Sequence, residues 1–259
     1  MWYDKNLMIK DQNISFLKWH LEAGVDALLE EKTQNIVKNS SNAEIKINQN
    51  LENYKLKKEE INHPNTKEFG NLKELKIAVQ SFNGCNIKKT AKNLVFGSGK
   101  VNSQLMFIGE APGEEEDISG EPFIGSAGKL LDKMLNSIGV NRTEIYITNI
   151  IPWRPPGNRK PSLDEIEAFK PFIFRHIELV KPKILVLVGG TASSAILQNE
   201  TGITRLRGKW YKFRDIDTIP IYHPAFLLRQ PSQKKQAWDD LQKIKNKINA
   251  LKKETNNET

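Results

Sequence analysis

Apolar and polar positions divide the chain into three regimes. Over 15–30, Leu17, Leu21, Val25 and Leu28 fall on one face behind Ser15, a spacing that predicts an amphipathic helix. From Thr33 to Glu68 large apolar residues thin out among Asn, Lys, Glu and Ser. Such a tract buries too little surface to offset its ordering entropy, so a flexible linker is expected there. From about Leu72 the pattern turns globular. Four apolar runs of strand length follow: Leu105 to Ile108, Ile145 to Thr148, Lys183 to Val188 and Ile219 to Tyr222. Between them lie stretches of helical period. Leu72 to Val79 is one, and Leu130, Leu131, Met134, Leu135 and Ile138 mark a second. A third begins at the capping box Ser162/Glu165 and reaches about Val180, with a bend expected near Pro171. Thr191 to Leu197 and a long helix from Ser232, with Trp238, Leu241, Ile244, Ile248 and Leu251 on one side, complete the set.

Strands that alternate with helices and read as continuous apolar runs predict a three-layer α/β/α domain with a central, mostly parallel four-stranded sheet. The chain then divides into a helical N-terminal extension (1–32), a polar linker (33–70) and the α/β/α domain (71–259). Glu110, Asn149 and His223 each lie just beyond the C-terminal end of a predicted strand. In a parallel sheet those ends share one edge, where ligands bind, so the three can converge on one pocket. The loop from Gly109 to Gly125 opens onto the same edge.

Charge and composition narrow the partners. The net charge of +8 suits a polyanion, nucleic acid before a membrane, although a genome rich in A·T inflates Lys and Asn in the same way. Cys85 is the single cysteine, which leaves no disulfide framework and no all-cysteine metal site within one chain. No run approaches a membrane span and the N-terminus lacks a signal-peptide pattern, so a cytoplasmic protein is expected.

Single residues carry two readings each. His223, before Pro-Ala-Phe-Leu-Leu-Arg, can donate to a leaving group that gains negative charge, or be a satisfied structural histidine. Asn149 offers a donor and an acceptor on one plane, suited to a base edge. Phe123 can stack on a flat ring or anchor its loop in the core. Leu227 and Leu228 suit a wedge between base steps, or ordinary core positions. The acids Glu114 to Asp117 read as a solvated loop or, less plainly, as a divalent-metal site of a phosphoesterase. Arg154, Arg159, Lys160, Arg207, Lys209 and Arg229 lie in loops near the proposed edge, where phosphates would be held. The glycines match neither a P-loop nor a dinucleotide fingerprint.

Taken together, GEAPGEEED (109–117), EPFIGSAGKLLD (121–132), YITNI (146–150), RPPGNRKP (154–161) and HPAFLLR (223–229) resemble, in order and spacing, the motifs of family 4 uracil-DNA glycosylases. The resemblance covers about residues 82 to 242. It implies hydrolysis of the N-glycosidic bond of uracil flipped out of DNA, leaving an abasic site. By the family pattern Phe123 stacks on uracil, Asn149 hydrogen-bonds its polar edge, and Ala111 and Glu116 contribute to the pocket. His223 stabilises the departing base, while Glu110 and Asn158 position the water. Arg154, Arg159, Leu227, Leu228 and Arg229 contact DNA, the leucines filling the vacated stack. The expected partner is uracil-containing DNA, bound by a monomer with no membrane association.

The sequence departs from this family at one feature. Its members hold a [4Fe–4S] cluster on four cysteines, and here the four positions read Phe82, Cys85, Trp153 and Phe169. One thiolate cannot hold a cluster. No cofactor and no metal are therefore expected, with an apolar plug pinning the 150–161 loop. The alternative to an active glycosylase is a weak or silent homologue that binds DNA or a repair partner.

Overall fold

The computed structural model describes residues 65–257; the helix expected at 15–30 and the polar tract as far as residue 64 lie outside the described residues. Six strands form one sheet: β1 (Ser98–Gly99), β2 (Leu105–Gly109), β3 (Tyr146–Asn149), β4 (Ile184–Val188), β5 (Tyr211–Phe213) and β6 (Ile216–Ile221). Their order is β1-β3-β2-β4-β6-β5, with the inner four parallel. These are the four strands that the apolar runs predict. The two extra edge strands pair antiparallel and are too short and too polar to give a periodic signal.

Eight α-helices surround the sheet among the described residues: α1 (Leu72–Ser81), α2 (Glu114–Ser119), α3 (Ser126–Ser137), α4 (Leu163–Val180), α5 (Gly190–Leu197), α6 (Ile203–Leu206), α7 (Pro224–Arg229) and α8 (Lys234–Asn257). Alternate residues of each inner strand feed opposite cores. Met106 and Ile108 pack with Leu75 and Val79 of α1, Phe169 and Ile173 of α4 and Ile196 of α5. Leu105 and Phe107 pack with Leu131 and Leu135 of α3, Leu227 of α7 and Leu241 and Ile244 of α8. A strand buried on both faces must be apolar throughout, which is why these runs show no alternation.

Local signals act as the sequence states them. The Glu165 amide donates to Ser162 Oγ (3.2 Å) and the Ser162 amide to Glu165 Oε2 (2.7 Å), starting α4, which continues through Pro171 as one helix. Ahead of the first core, Arg175 donates through Nε (2.9 Å) and Nη2 (2.7 Å) to the Phe69 carbonyl. Among the described residues no helix is long and apolar enough to cross a membrane.

The acidic run departs from the loop expected for it. Glu114 to Asp117 form the first turn of α2, where carboxylates favour the positive helix end. Three of the four side chains have separate tasks. Glu114 faces Arg154 (3.6 Å), whereas Asp117, 1% exposed, accepts from the amides of Lys92 (2.8 Å) and Asn93 (3.1 Å). Glu116 turns toward residues 113–125. Among the described residues, no group of three or more His, Cys, Asp or Glu is arranged to hold a metal ion.

Candidate active site

The parallel strands deliver their C-terminal ends to one edge, and the register sets Gly109 of β2 beside Asn149 of β3. Gly109 has no room for a side chain. A Cβ there would lie 2.4 Å from Asn149 Oδ1 and 2.5 Å from Phe123 Cζ. The amide and the phenyl ring therefore meet above a bare Cα. Phe123 adopts φ +54° and is 5% exposed, and its ring stacks on that of His223 with centroids 5.7 Å apart at 29°.

One carboxylate fixes the loop that carries Phe123. Glu116 Oε2 accepts from the Gly113 amide (3.0 Å), and Oε1 accepts from the amides of Ile124 (3.0 Å) and Gly125 (2.9 Å). Its oxygens are committed to the backbone, so Glu116 acts on the pocket through Phe123. Removing it strands three amides. Glu116→Ala is expected to destabilise the fold by about 2 kcal/mol, read as a fall in Tm, and to weaken substrate binding.

Asn149 is 4% exposed, and among the described residues its Oδ1 is buried with no hydrogen-bond partner. A buried orphan acceptor costs about 1–3 kcal/mol, and such groups persist where a ligand supplies the donor. His223 caps α7: its Nδ1 accepts from the Ala225 amide at 3.1 Å. Nδ1 must therefore be unprotonated, which leaves the ring proton on Nε2. Burial pushes the His223 pKa down to about 4; Arg229 lowers it further and Glu116 opposes. At neutral pH the ring is an uncharged donor through Nε2.

Glu110 follows β2, and its Oε2 accepts a hydrogen bond from Thr191 Oγ1 at the start of α5. In the sequence Gly189 and Gly190 read as the stop of a strand and Thr191 as the start of a helix, with nothing to mark the contact with Glu110. Ala111 packs against the first core.

The remaining predicted residues divide. Asn158, exposed at φ +58°, accepts from Arg154 Nε at 2.7 Å, so the structure pairs it with Arg154. Arg159 is held bidentate by Glu165 (2.6 and 2.8 Å). Arg229 is exposed at the end of α7. Leu227 and Leu228 face opposite ways: Leu227 is 1% exposed inside the second core, whereas Leu228 is 45% exposed. The wedge reading places both leucines at the surface; burial of Leu227 in the second core corrects it and leaves Leu228 as the exposed member of the pair. Arg207, expected among the phosphate-holding residues, is instead tied to buried Asp240 (2.6 Å) and lies over the Tyr222 ring (5.1 Å).

The four positions that the family resemblance assigns to cluster ligands gather in and against the first core: Trp153 and Phe169 are buried there, and Phe82 and Cys85 pack against it. Phe82 meets Phe169 edge-on (5.6 Å, 74°) and Phe172 likewise (5.0 Å, 66°). These residues do not fit an iron–sulfur cluster, since three of the four carry no ligating atom and fill the space with rings.

An α/β/α sheet that brings an unpartnered amide oxygen, a phenyl ring and a neutral imidazole to one edge defines a receptor for a flat, polar ring. Comparison with known proteins gives this class its family. The profile of the uracil DNA glycosylase superfamily matches residues 96–242. Proteins named type-4 uracil-DNA glycosylase are similar over most of their own length. The one from Archaeoglobus fulgidus is 38% identical over 181 residues, 67% of this chain and 91% of the relative. Those from Sulfurisphaera tokodaii (41%; 67% of this chain, 83% of the relative) and Saccharolobus solfataricus (39%; 70% and 88%) agree. The chain belongs to the uracil-DNA glycosylase superfamily.

Proposed function

We propose that this protein hydrolyses the N-glycosidic bond of uracil flipped out of DNA, and that it does so without a metal or an iron–sulfur cluster. The observation that carries the reading is the buried, partnerless Asn149 Oδ1 beside a Phe123–His223 stack. Uracil supplies what this acceptor lacks, a donor at N3, and its O4 takes the Asn149 amide protons. Cytosine presents an acceptor at N3 and a donor at the exocyclic position, so the same amide orientation rejects it.

The bond to C1′ breaks towards an oxocarbenium-like sugar and a uracil anion. A donor fixed at the anion's oxygen acts where charge appears in the transition state. His223 Nε2–H takes that role against uracil O2, with Phe123 holding the ring plane. Glu110 accepts a proton of the water that forms the new C1′–O bond. Asn158, with its Oδ1 taken by Arg154, keeps its amide donors for the water or the sugar. Arg229 and the net charge of +8 supply attraction to phosphates, a salt-dependent term. Leu228 occupies the vacated stack, where unstacking costs a few kcal/mol.

The test incubates the protein in EDTA with an end-labelled oligonucleotide that carries one uracil, followed by alkaline cleavage of abasic sites, with iron content measured on the same preparation. Cleavage by protein free of iron is expected. Stoichiometric iron with a visible charge-transfer band would overturn the cofactor-free reading. No cleavage alongside intact DNA binding would make the protein a recognition module.

A further inference from the structure

We infer that the turn Gly189–Gly190–Thr191, at the end of β4, positions the reaction centre, and that Thr191 holds the Glu110 carboxylate for the attacking water. The inference rests on the reading that Glu110 activates that water. The turn touches both working groups. Thr191 Oγ1 donates to Glu110 Oε2, and Gly189 lies against His223, where a Cβ would come within 3.1 Å of His223 Cβ and 3.4 Å of Cδ2. Gly189 holds φ +94°, a conformation that side-chain-bearing residues rarely adopt.

The hydrogen bond divides the carboxylate's labour. A hydroxyl has one proton, and Thr191 spends it on Oε2. Oε1 is left for the water, and Thr191 has nothing to donate to substrate. It is a positioning residue, not a catalytic one. An unrestrained glutamate samples several rotamers, most of which turn the carboxylate away from C1′. A threonine in the first turn of α5 is stiff about χ1 and makes a firmer anchor than a longer donor.

Single-turnover excision rates of Thr191→Val, Thr191→Ser, Glu110→Gln and the double variant Glu110→Gln/Thr191→Val test the proposal, with Kd for a uracil oligonucleotide and Tm measured beside them. Thr191→Val is expected to lower the rate about tenfold with Kd unchanged. Thr191→Ser is expected to stay within about twofold of wild type, because it restores the donor. The double variant should be no slower than Glu110→Gln alone, because the two residues act as a unit. If Thr191→Val fails to fold by its Tm, Thr191→Ala removes the hydroxyl without that risk of crowding and takes its place. A slow Glu110→Gln beside a wild-type rate for the hydroxyl-free variant would overturn the role of Thr191 alone. Losses that multiply in the double variant would do the same. A wild-type rate for Glu110→Gln would sink the water-activating reading, and this proposal with it.

Discussion

Replacing His223 with alanine is expected to slow single-turnover excision of uracil by on the order of 10²–10³, with only a small change in DNA affinity. The size follows from where the group acts. In the proposed reaction its proton meets charge that exists only as the bond breaks, so the loss is expected to fall on the transition state and not on binding. His223→Gln, which can still present a donor, should recover part of the rate. The pH profile separates this from general-acid chemistry. With its pKa pushed down to about 4, the imidazole is neutral throughout the range from about 5.5 to 8, and the rate should show no limb from its ionisation there. In acid the ring gains a proton at Nδ1, where the Ala225 amide already points a donor. The α7 cap and the pocket fail together. A rate that followed a titration near pH 6.5 and vanished in His223→Ala would contradict the neutral-donor account.

Acid should unfold the domain well before its carboxylates are fully protonated. His176 is 3% exposed, stacks on Phe96 (4.3 Å) and meets the Tyr146 hydroxyl through Nε2 (2.9 Å); burial drives its pKa down to about 3. Both His176 and His223 bind a proton more readily unfolded than folded. The unfolded chain therefore takes up protons first as pH falls through 6.5, and stability declines from there towards pH 4 and 3. Each contributes a slope of at most about 1.4 kcal/mol per pH unit. Asp240 acts with the opposite sign. Burial raises its carboxyl to about 6 against the pull of Arg207, so between about 6 and 3.8 it offsets one of the two histidines. Urea midpoints measured from pH 7 to 4 should fall throughout, and His176→Gln should flatten the fall by about one proton. An unchanged slope in that variant would show that His176 is not buried neutral.

The parts of this molecule that were legible in its sequence share a physical cause. Strands that must be buried on both faces leave uninterrupted apolar runs, and the Gly, Asn and His-Pro positions that end them mark the edge where Asn149 and Phe123 meet above Gly109. The illegible parts depend on tertiary context. Nothing local distinguishes Leu227 from Leu228 until α7 lies on the second core. The acids at 114–117 read as a loop because their helix is short and its stability comes from backbone partners as distant as residues 92 and 125. Arg207 resembles any loop cation until α8 brings Asp240 against it. Thr191 reads only as the start of a helix, since a threonine after two glycines meets Glu110 only when β2 lies beside β4.

Helix α7 carries one further consequence. Its first turn is capped by His223, its body is anchored in the core by Leu227, and Leu228 projects outward from the same six residues. The imidazole and the exposed leucine are thus two ends of one stiff peg about 8 Å long. Under the proposed function, a load placed on Leu228 by a stack of bases would be transmitted through the helix to the His223 ring. DNA that offers no neighbouring bases to press on leaves that peg unloaded.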